Sequence, residues 1–341
     1  MKNQKYSISD VAEMLGVSKS TVSRAINGNV GVGEELRKKV LDLVDEIGYK
    51  PNTIAQGLSK GRVNIVALIL GDIRNPFYAD LTFNIQRILN DSGFMVMVFN
   101  SEYDAERERE FLKLADQFHF AGIILITAQE DGMEDMLHSL DMPIVLVNRI
   151  LKSYQGDSVL IDNFQAGYSA VLHLLELGHK KIGFVRGPGA SSASSQRFEG
   201  YLQASRNYGL KFLEEYVYDS DLKQETGKAI GADFARKEGE RPSAIIIVND
   251  MTAIGFMNGC RQHGLRVPED ISIVSFDNIE LAALQGIELT TIDQRVDEMS
   301  RHAAQLMLKQ LQEKGSKPER IILEPSLIVR NTTCVCSEEE L

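Results

Sequence analysis

The chain carries two hydrophobic rhythms, one in its first fifty residues and another after residue 62. Early on, apolar positions recur at helical spacing. Ser7-Ile8-Ser9-Asp10 reads as a capping box opening a first helix to about Leu15, in which serine and acid satisfy each other's free amides. Gly16 ends that helix and permits a tight turn. Ser18 is placed to cap a second helix from Lys19, with Val22, Ala25 and Ile26 on its inner side. Lys19, Ser20, Ser23 and Arg24 are left for solvent. Glu34 to Ile47 predicts a third helix, Leu36, Val40, Leu43, Val44 and Ile47 inward and Lys38 and Lys39 outward. Helix, glycine turn, helix reads as a helix-turn-helix or as a small helical cap; short hydroxyls between two cations favour the former, because a major groove presents base edges and phosphates together.

Pro51 closes this headpiece, since the residue before proline is pushed from helical geometry. Asn52 can cap a short helix from Thr53 to about Ser59, broken at Lys60-Gly61-Arg62. One or two isolated turns are marginal in water, so this segment reads as a linker that folds when something packs on it.

From Val63 the pattern changes. Val63 to Leu70 is a nearly unbroken apolar run, as a strand buried on both faces requires. Helix is predicted over Ala79–Ser92, Asp104–Phe118, Met133–Leu140, Phe164–Leu177, Gln196–Tyr208, Glu225–Lys237, Met251–His263 and Asp293–Gln312. Between them, strands are predicted at Phe94–Phe99, Gly122–Thr127, Ile144–Asn148, Ile182–Arg186, near Val217, at Ala244–Val248, Ser272–Phe276 and Arg320–Leu323. Strands separated by helices make βαβ units and parallel sheets, and so many units imply two α/β lobes.

Charge sharpens the division. The net charge is −11, yet residues 1–62 hold ten Lys and Arg against seven Asp and Glu, a net +3 that leaves −14 for the rest. A basic head on an acidic body fits contact with DNA at one end. Three cysteines, Cys260, Cys334 and Cys336, make neither a disulfide framework nor a zinc site. No apolar run approaches a membrane span of roughly 20 residues and no signal core follows Lys5, so a reducing cytoplasm is the expected compartment. Neither cofactor nor metal is expected.

The residues I-S-D-V-A-E-M-L-G-V-S-K-S-T-V-S-R-A-I-N-G and G-Y-K-P-N-T-I-A-Q-G-L resemble the DNA-binding head of the lactose-repressor (LacI) family of bacterial transcription regulators. The likeness runs over nearly the whole chain. It implies a headpiece at 1–50, a hinge at 51–62 and a periplasmic-binding-protein-like core at 63–341. The core's N-lobe would be 63–161 with 292–323 and its C-lobe 162–291 with 324–341, joined near Ile161-Asp162, Thr290-Thr291 and Leu323-Glu324. The DNA-contacting set would be Ser18, Lys19, Ser20, Thr21, Ser23, Arg24 and Asn27, with Asn52, Ala55 and Leu58 from the hinge. In this family a hinge leucine wedges into the minor groove, and Leu58 matches it; wedging kinks DNA. Ser59 stands where a basic residue often follows. A homodimer would present two heads to a pseudo-palindromic operator.

Open α/β sheets bind ligands beyond the C-terminal ends of their strands, which directs attention to Phe77, Tyr78, Arg197, Asn249 and Asp277. Aromatics, an amide, a guanidinium and a carboxylate suit a polyhydroxylated ligand. The resemblance implies effector contacts at these five positions and also at Asn148 and Gln294. Ser191 and Ala193 replace the Arg and Thr of purine-responsive members, and Leu222 replaces an aromatic, so a sugar or sugar derivative is expected rather than a purine. Asp277 also reads as a turn cap paired structurally with Arg197.

Other readings stay open. Gly187–Gly189 lacks the G-x-G-x-x-G order of a dinucleotide loop, and there is no phosphate-binding G-x-x-x-x-G-K-[ST]. His179 reads as a surface or turn-capping residue, and the acidic tail from Ser337 as solvated. A global catabolite regulator driven by a phosphoprotein partner is the alternative within the family. Outside it stand a solute-binding protein and a sugar-modifying α/β enzyme; for the latter no catalytic constellation is visible.

Overall fold

Three helices build the first part of the chain: α1 (Ile8–Leu15), α2 (Lys19–Ile26) and α3 (Glu34–Glu46). The computed structural model describes residues 6–26, 28, 30–49, 62–126, 132–151, 153–313 and 315–336. The chain divides into two units, Met1–Val63 and Asn64–Leu341. In the first, Ser7 and Asp10 close the expected capping box, and Gly16 takes a left-handed φ of 63° at the end of α1. Ser18 Oγ accepts the Thr21 amide at 3.1 Å, which starts α2. Val11, Ala12, Val22, Ala25, Val40 and Val44 form the buried centre of the headpiece. Asn27, Asn52, Ala55 and Leu58 lie outside the described residues, as do the expected hinge helix at 53–59 and the acidic tail.

The second unit holds two six-stranded sheets. The first takes β1 (Val63–Leu70), β2 (Met95–Asn100), β3 (Phe120–Leu125), β4 (Ile144–Val147), β5 (Asp157–Ile161) and β11 (Arg320–Leu323), in the order β11-β5-β4-β3-β1-β2. The second takes β6 (Ile182–Arg186), β7 (Val217–Asp219), β8 (Ala244–Ile247), β9 (Ser272–Asp277), β10 (Thr290–Asp293) and β12 (Ser326–Ile328), in the order β12-β10-β9-β8-β6-β7. β12 runs antiparallel to β10, whereas β6, β8, β9 and β10 pair in parallel. Helices α4 (Pro76–Asp91), α5 (Ala105–Gln117), α6 (Met133–Ser139) and α11 (Val296–Gln312) belong with the first sheet. Helices α7 (Asn163–Glu176), α8 (Ser192–Asn207), α9 (Gln224–Arg236) and α10 (Asp250–Gln262) belong with the second. The chain leaves the first sheet after Ile161, returns after Asp293 and leaves again after Leu323.

Several boundaries differ from the sequence expectation, each for a local reason. α4 starts at Pro76 rather than Ala79, because Asn75 Oδ1 accepts the Phe77 amide at 3.1 Å and proline suits a first helical turn. α8 starts at Ser192 rather than Gln196, with Ser191 accepting the Ser194 amide. Asp293 ends strand β10 instead of opening a helix; its Oδ1 accepts the Arg295 amide at 2.9 Å, and the helix begins at Val296. Strands β5, β10 and β12, three to five residues each, went unpredicted.

Helices α7 and α8 touch backbone to backbone. A Cβ on Gly167 would lie 2.0 Å from the Arg197 carbonyl oxygen, and one on Gly200 would lie 2.1 Å from that of Phe164. Glycine is required there by approach, and that approach sets where Arg197 stands. Gly167→Ala should therefore destabilise the body by about 1–3 kcal/mol, as overpacking does; urea unfolding of the variant against the unmodified chain measures it.

Candidate functional site

The two sheets bring the C-terminal ends of five strands to one cleft. Asn148 and Arg149 follow β4, Asn249 follows β8, Asp277 ends β9, and Gln294 follows β10. The loop after β1 supplies Asn75, the first turn of α4 supplies Phe77 and Tyr78, and α8 supplies Arg197. All seven residues singled out for an effector line a single cavity of about 30 Å³. Its wall also includes Asn75, Tyr103, Arg149, Ser191, Ser194 and Leu222.

A chain of polar bonds runs across the cleft. Asn148 Nδ2 donates to Gln294 Oε1 at 2.8 Å, and Gln294 Nε2 donates in turn to Asp277 Oδ1. Asn163 Nδ2 donates to Asn148 Oδ1 at 3.3 Å, while Asn163 Oδ1 accepts from Arg197 Nε at 2.8 Å. Arg197 Nη1 donates to the Val248 carbonyl at 2.7 Å, and the guanidinium lies 4.5 Å from the Phe276 ring centroid. On the other flank Arg149 Nη1 donates to Ser191 Oγ at 2.5 Å and the Ile150 amide to Ser192 Oγ at 3.0 Å. These last two bonds join the lobes directly.

Burial governs the charges here. Arg197 and Asp277 are each 4 % exposed, and their nearest atoms are 3.9 Å apart, beyond a hydrogen bond. Burial pushes the Asp277 carboxyl up to about 8 despite the pull of Arg197, and burial also lowers Arg197 to about 10. Without a direct bond the Coulomb attraction does not offset the desolvation. Asp250, fully buried, is raised to about 6 by burial, opposed by bonds from Ser275, from Thr291 at 2.7 Å and from the Ile279 amide at 2.9 Å. It ties α10 to β9 and β10 beneath the cleft.

The backbone is strained at the same place. Tyr103, Asn148, Leu222 and Asp277 hold φ of 63°, 53°, 69° and 118°, conformations that L-residues adopt at a cost. Such strain persists where the surrounding packing overrides it, and functional sites concentrate it.

Two larger cavities adjoin this one. One of about 480 Å³ shares Phe77 and Asp277 and is rimmed by Asp80, Asp293, Arg295, Asp297 and Glu298. The other, of about 170 Å³, shares Asn75, Tyr103 and Leu222 and is rimmed by Asp72, Arg74, Lys223 and Glu225.

Arg149, Asn163, Tyr103 and Asn75 were missed by sequence reasoning. Arg149 was legible in principle, since it stands two places past the end of a cleft-facing strand. Asn163, at the start of α7, gave no such signal. Asn249 has a second duty: its Oδ1 accepts the Thr252 amide at 2.8 Å as the cap of α10, and its Nδ2 donates to the Leu222 carbonyl at 3.1 Å. His179 is a correction. It is 2 % exposed, with Nδ1 2.9 Å from Ser243 Oγ and Nε2 3.0 Å from the Cys334 carbonyl, so it pins the C-terminal stretch to the second sheet rather than facing solvent.

In the headpiece, Ser18, Lys19, Ser20 and Arg24 are exposed at and along α2, whereas Thr21 and Ser23 are half-buried. Ser18 Oγ lies 2.7 Å from Ser20 Oγ and 2.8 Å from Thr21 Oγ1, a chain of hydroxyls beside two cations.

A helix-turn-helix headpiece with a two-lobed, ligand-cleft body defines a bacterial DNA-binding transcription regulator. Residues 7–52 match the model for bacterial regulatory proteins of the lacI family, and residues 171–333 match a periplasmic binding protein-like domain. The HTH-type transcriptional regulator DegA of Bacillus subtilis (strain 168) is 32% identical over 333 residues, covering 96% of this chain and 98% of that protein. A LacI-family regulator from Silicibacter pomeroyi superposes with a TM-score of 0.83 at 26% identity, over 96% of this chain and 99% of that one. A complex of the transcriptional regulator CelR with cellobiose gives 0.72 at 26% identity, over 96% and 100%. The chain belongs to the lacI family of bacterial regulatory proteins. No helix among the described residues is long and apolar enough to cross a membrane.

The raised Asp277 carboxyl sets a pH dependence. Between about pH 4 and 8 the unfolded chain has released this proton while the folded chain retains it, so stability falls as pH rises through that window. Asp277→Asn should flatten this component of the pH profile of unfolding, measured by urea titration at pH 5 and pH 8.

Proposed function

We propose that this regulator is a cytoplasmic homodimer that represses carbohydrate-utilisation genes, with a sugar or sugar derivative held between its lobes as effector. One observation carries the reading: Phe77, Tyr78, Asn148, Arg197, Asn249, Asp277 and Gln294, drawn from separate elements, line one interlobe cavity. Aromatic faces beside amides, a guanidinium and a carboxyl serve C–H faces and hydroxyls together. The CelR–cellobiose complex, similar across nearly the whole chain, supports the same ligand class. The relatives are transcriptional regulators, which supports reading the cleft as a binding site.

A space of about 30 Å³ is too small for a sugar ring, so a sugar enters only if the lobes part, breaking the Arg149–Ser191 and Ile150–Ser192 bonds. Lobe movement is then the event that the headpieces sense. Coupling of about 1–3 kcal/mol between effector and operator follows from differential binding to two lobe arrangements. At the sheet edge β2 leaves Met95, Met97 and Val98 exposed, with Phe83 and Phe118 also exposed on the same lobe. That apolar edge supports the dimer. In the operator, Ser18, Lys19, Ser20, Thr21, Ser23, Arg24 and Asn27 would meet the major groove and Asn52, Ala55 and Leu58 the minor groove.

Two measurements test the reading. Arg24→Ala should lose about 1–3 kcal/mol of discrimination between the operator and single-base variants, read by fluorescence anisotropy at two salt concentrations. A uniform loss on all sequences would make Arg24 a phosphate contact instead. Sugars that shift operator affinity of the unmodified dimer should have no such effect on Asp277→Asn. A full response in that variant removes Asp277 from the effector site.

A further inference from the structure

One buried donor in the cleft is left without an acceptor. Arg149 is 5 % exposed, and its Nε has no hydrogen-bond partner. Its Nη1 donates to Ser191 Oγ, and among the described residues no carboxylate stands within 4 Å of its guanidinium. A buried, unpaired guanidinium is costly, and proteins keep one where a counter-charge arrives from outside.

The neighbouring hydroxyls point the same way. Ser191 Oγ already accepts from Arg149 and from the Ser194 amide at 3.3 Å, so only its proton remains to be given. Ser194 Oγ accepts from the Gly187 amide at 2.9 Å and likewise has no acceptor for its proton among the described residues. Both serines line the cavity at the first turn of α8, a sixteen-residue helix whose N-terminal end carries partial positive charge. The second guanidinium, Arg197, is answered by the Asp277 carboxyl, but that carboxyl retains its proton to about pH 8, so the cavity has a positive excess at neutral pH.

We propose that the effector is an anionic sugar derivative, a sugar acid or a sugar phosphate, whose oxyanion is held by Arg149 Nε with the Ser191 and Ser194 hydroxyls. This rests on the sugar-cleft reading above and narrows it. A guanidinium edge and two hydroxyls at a helix N-terminus make the donor set that carboxylates and phosphates recognise. Asn148, Asn249, Asp277 and Gln294 remain for the sugar hydroxyls. Of the two mouths, the one with Arg74 and Lys223 against Asp72 and Glu225 is balanced in charge, whereas the one with Asp80, Asp293, Asp297 and Glu298 against Arg295 is acidic and repels an anion.

Calorimetric titration of the full-length protein at pH 7 tests this with matched sets: D-glucose, D-galactose and D-ribose against their aldonates, uronates and terminal phosphates. At least one charged form should bind about 10–100-fold more tightly than its neutral parent, as charge-assisted bonds imply. The carboxylate and phosphate arms identify which oxyanion is preferred. Arg149→Gln should abolish that advantage and its salt dependence. Should Arg149→Gln fail to fold, the Ser191→Ala/Ser194→Ala double variant carries the test, with a several-fold loss for the charged ligand and little change for the neutral one. A neutral sugar that binds as well as its charged forms overturns the anion and leaves the cleft reading standing. Silence of every sugar, neutral and charged, removes both.

Discussion

Two buried ionisable groups at the lobe boundary, the Arg197 guanidinium and the Asp277 carboxyl, constrain the rest of the body. Taking a guanidinium out of water costs several kcal/mol unless each donor finds a partner. Asn163, the Val248 carbonyl and the Phe276 ring fulfil that need, and each comes from a different element of the second lobe. The contact of α7 with α8 at Gly167 and Gly200 holds the arginine at that point. Asp277 is then secured by Gln294, which Asn148 secures from the first lobe. Removing any one member leaves a buried polar group unmet, so the network acts as a unit.

That network explains why the site lies at the junction and not on a surface. Strand ends leave amides and carbonyls beyond the sheet, and parallel order brings those ends to the same side in both lobes. Strained backbone at Asn148 and Asp277 turns their side chains into the gap. The remaining bonds across the cleft, Arg149 to Ser191 and Ile150 to Ser192, are few and break as the lobes separate.

Much of this was legible in residue order alone. The run Val63–Leu70 announced a doubly buried strand, and it spans those residues. Residues following strands placed Asn249 and Asp277 at the cleft without reference to tertiary structure, whereas Asn148 and Gln294 came from the family resemblance. What escaped notice was short or conditional. β10 and β12 owe their existence to pairing with each other and with β9, which no local pattern encodes. Helix starts slipped where a capping side chain, as at Asn75 or Ser191, recruited residues with little helical periodicity. His179 looked solvated among glycine and lysines, yet Ser243 and the distant Cys334 carbonyl enclose it. Arg149 was overlooked because its importance lies in the partners it lacks.

The threefold passage of the chain between sheets has a consequence for biosynthesis. The first sheet is incomplete without β11 at 320–323 and the second without β12 at 326–328. Thr332 then fastens the second sheet, donating to the Ile273 carbonyl and accepting the Thr290 amide, each at 2.8 Å. The headpiece core, by contrast, draws among the described residues on those between Ile8 and Tyr49. As the polypeptide emerges from the ribosome, the reader of DNA can be assembled hundreds of residues before either half of the sensor closes, and both halves are completed nearly together at the end of translation.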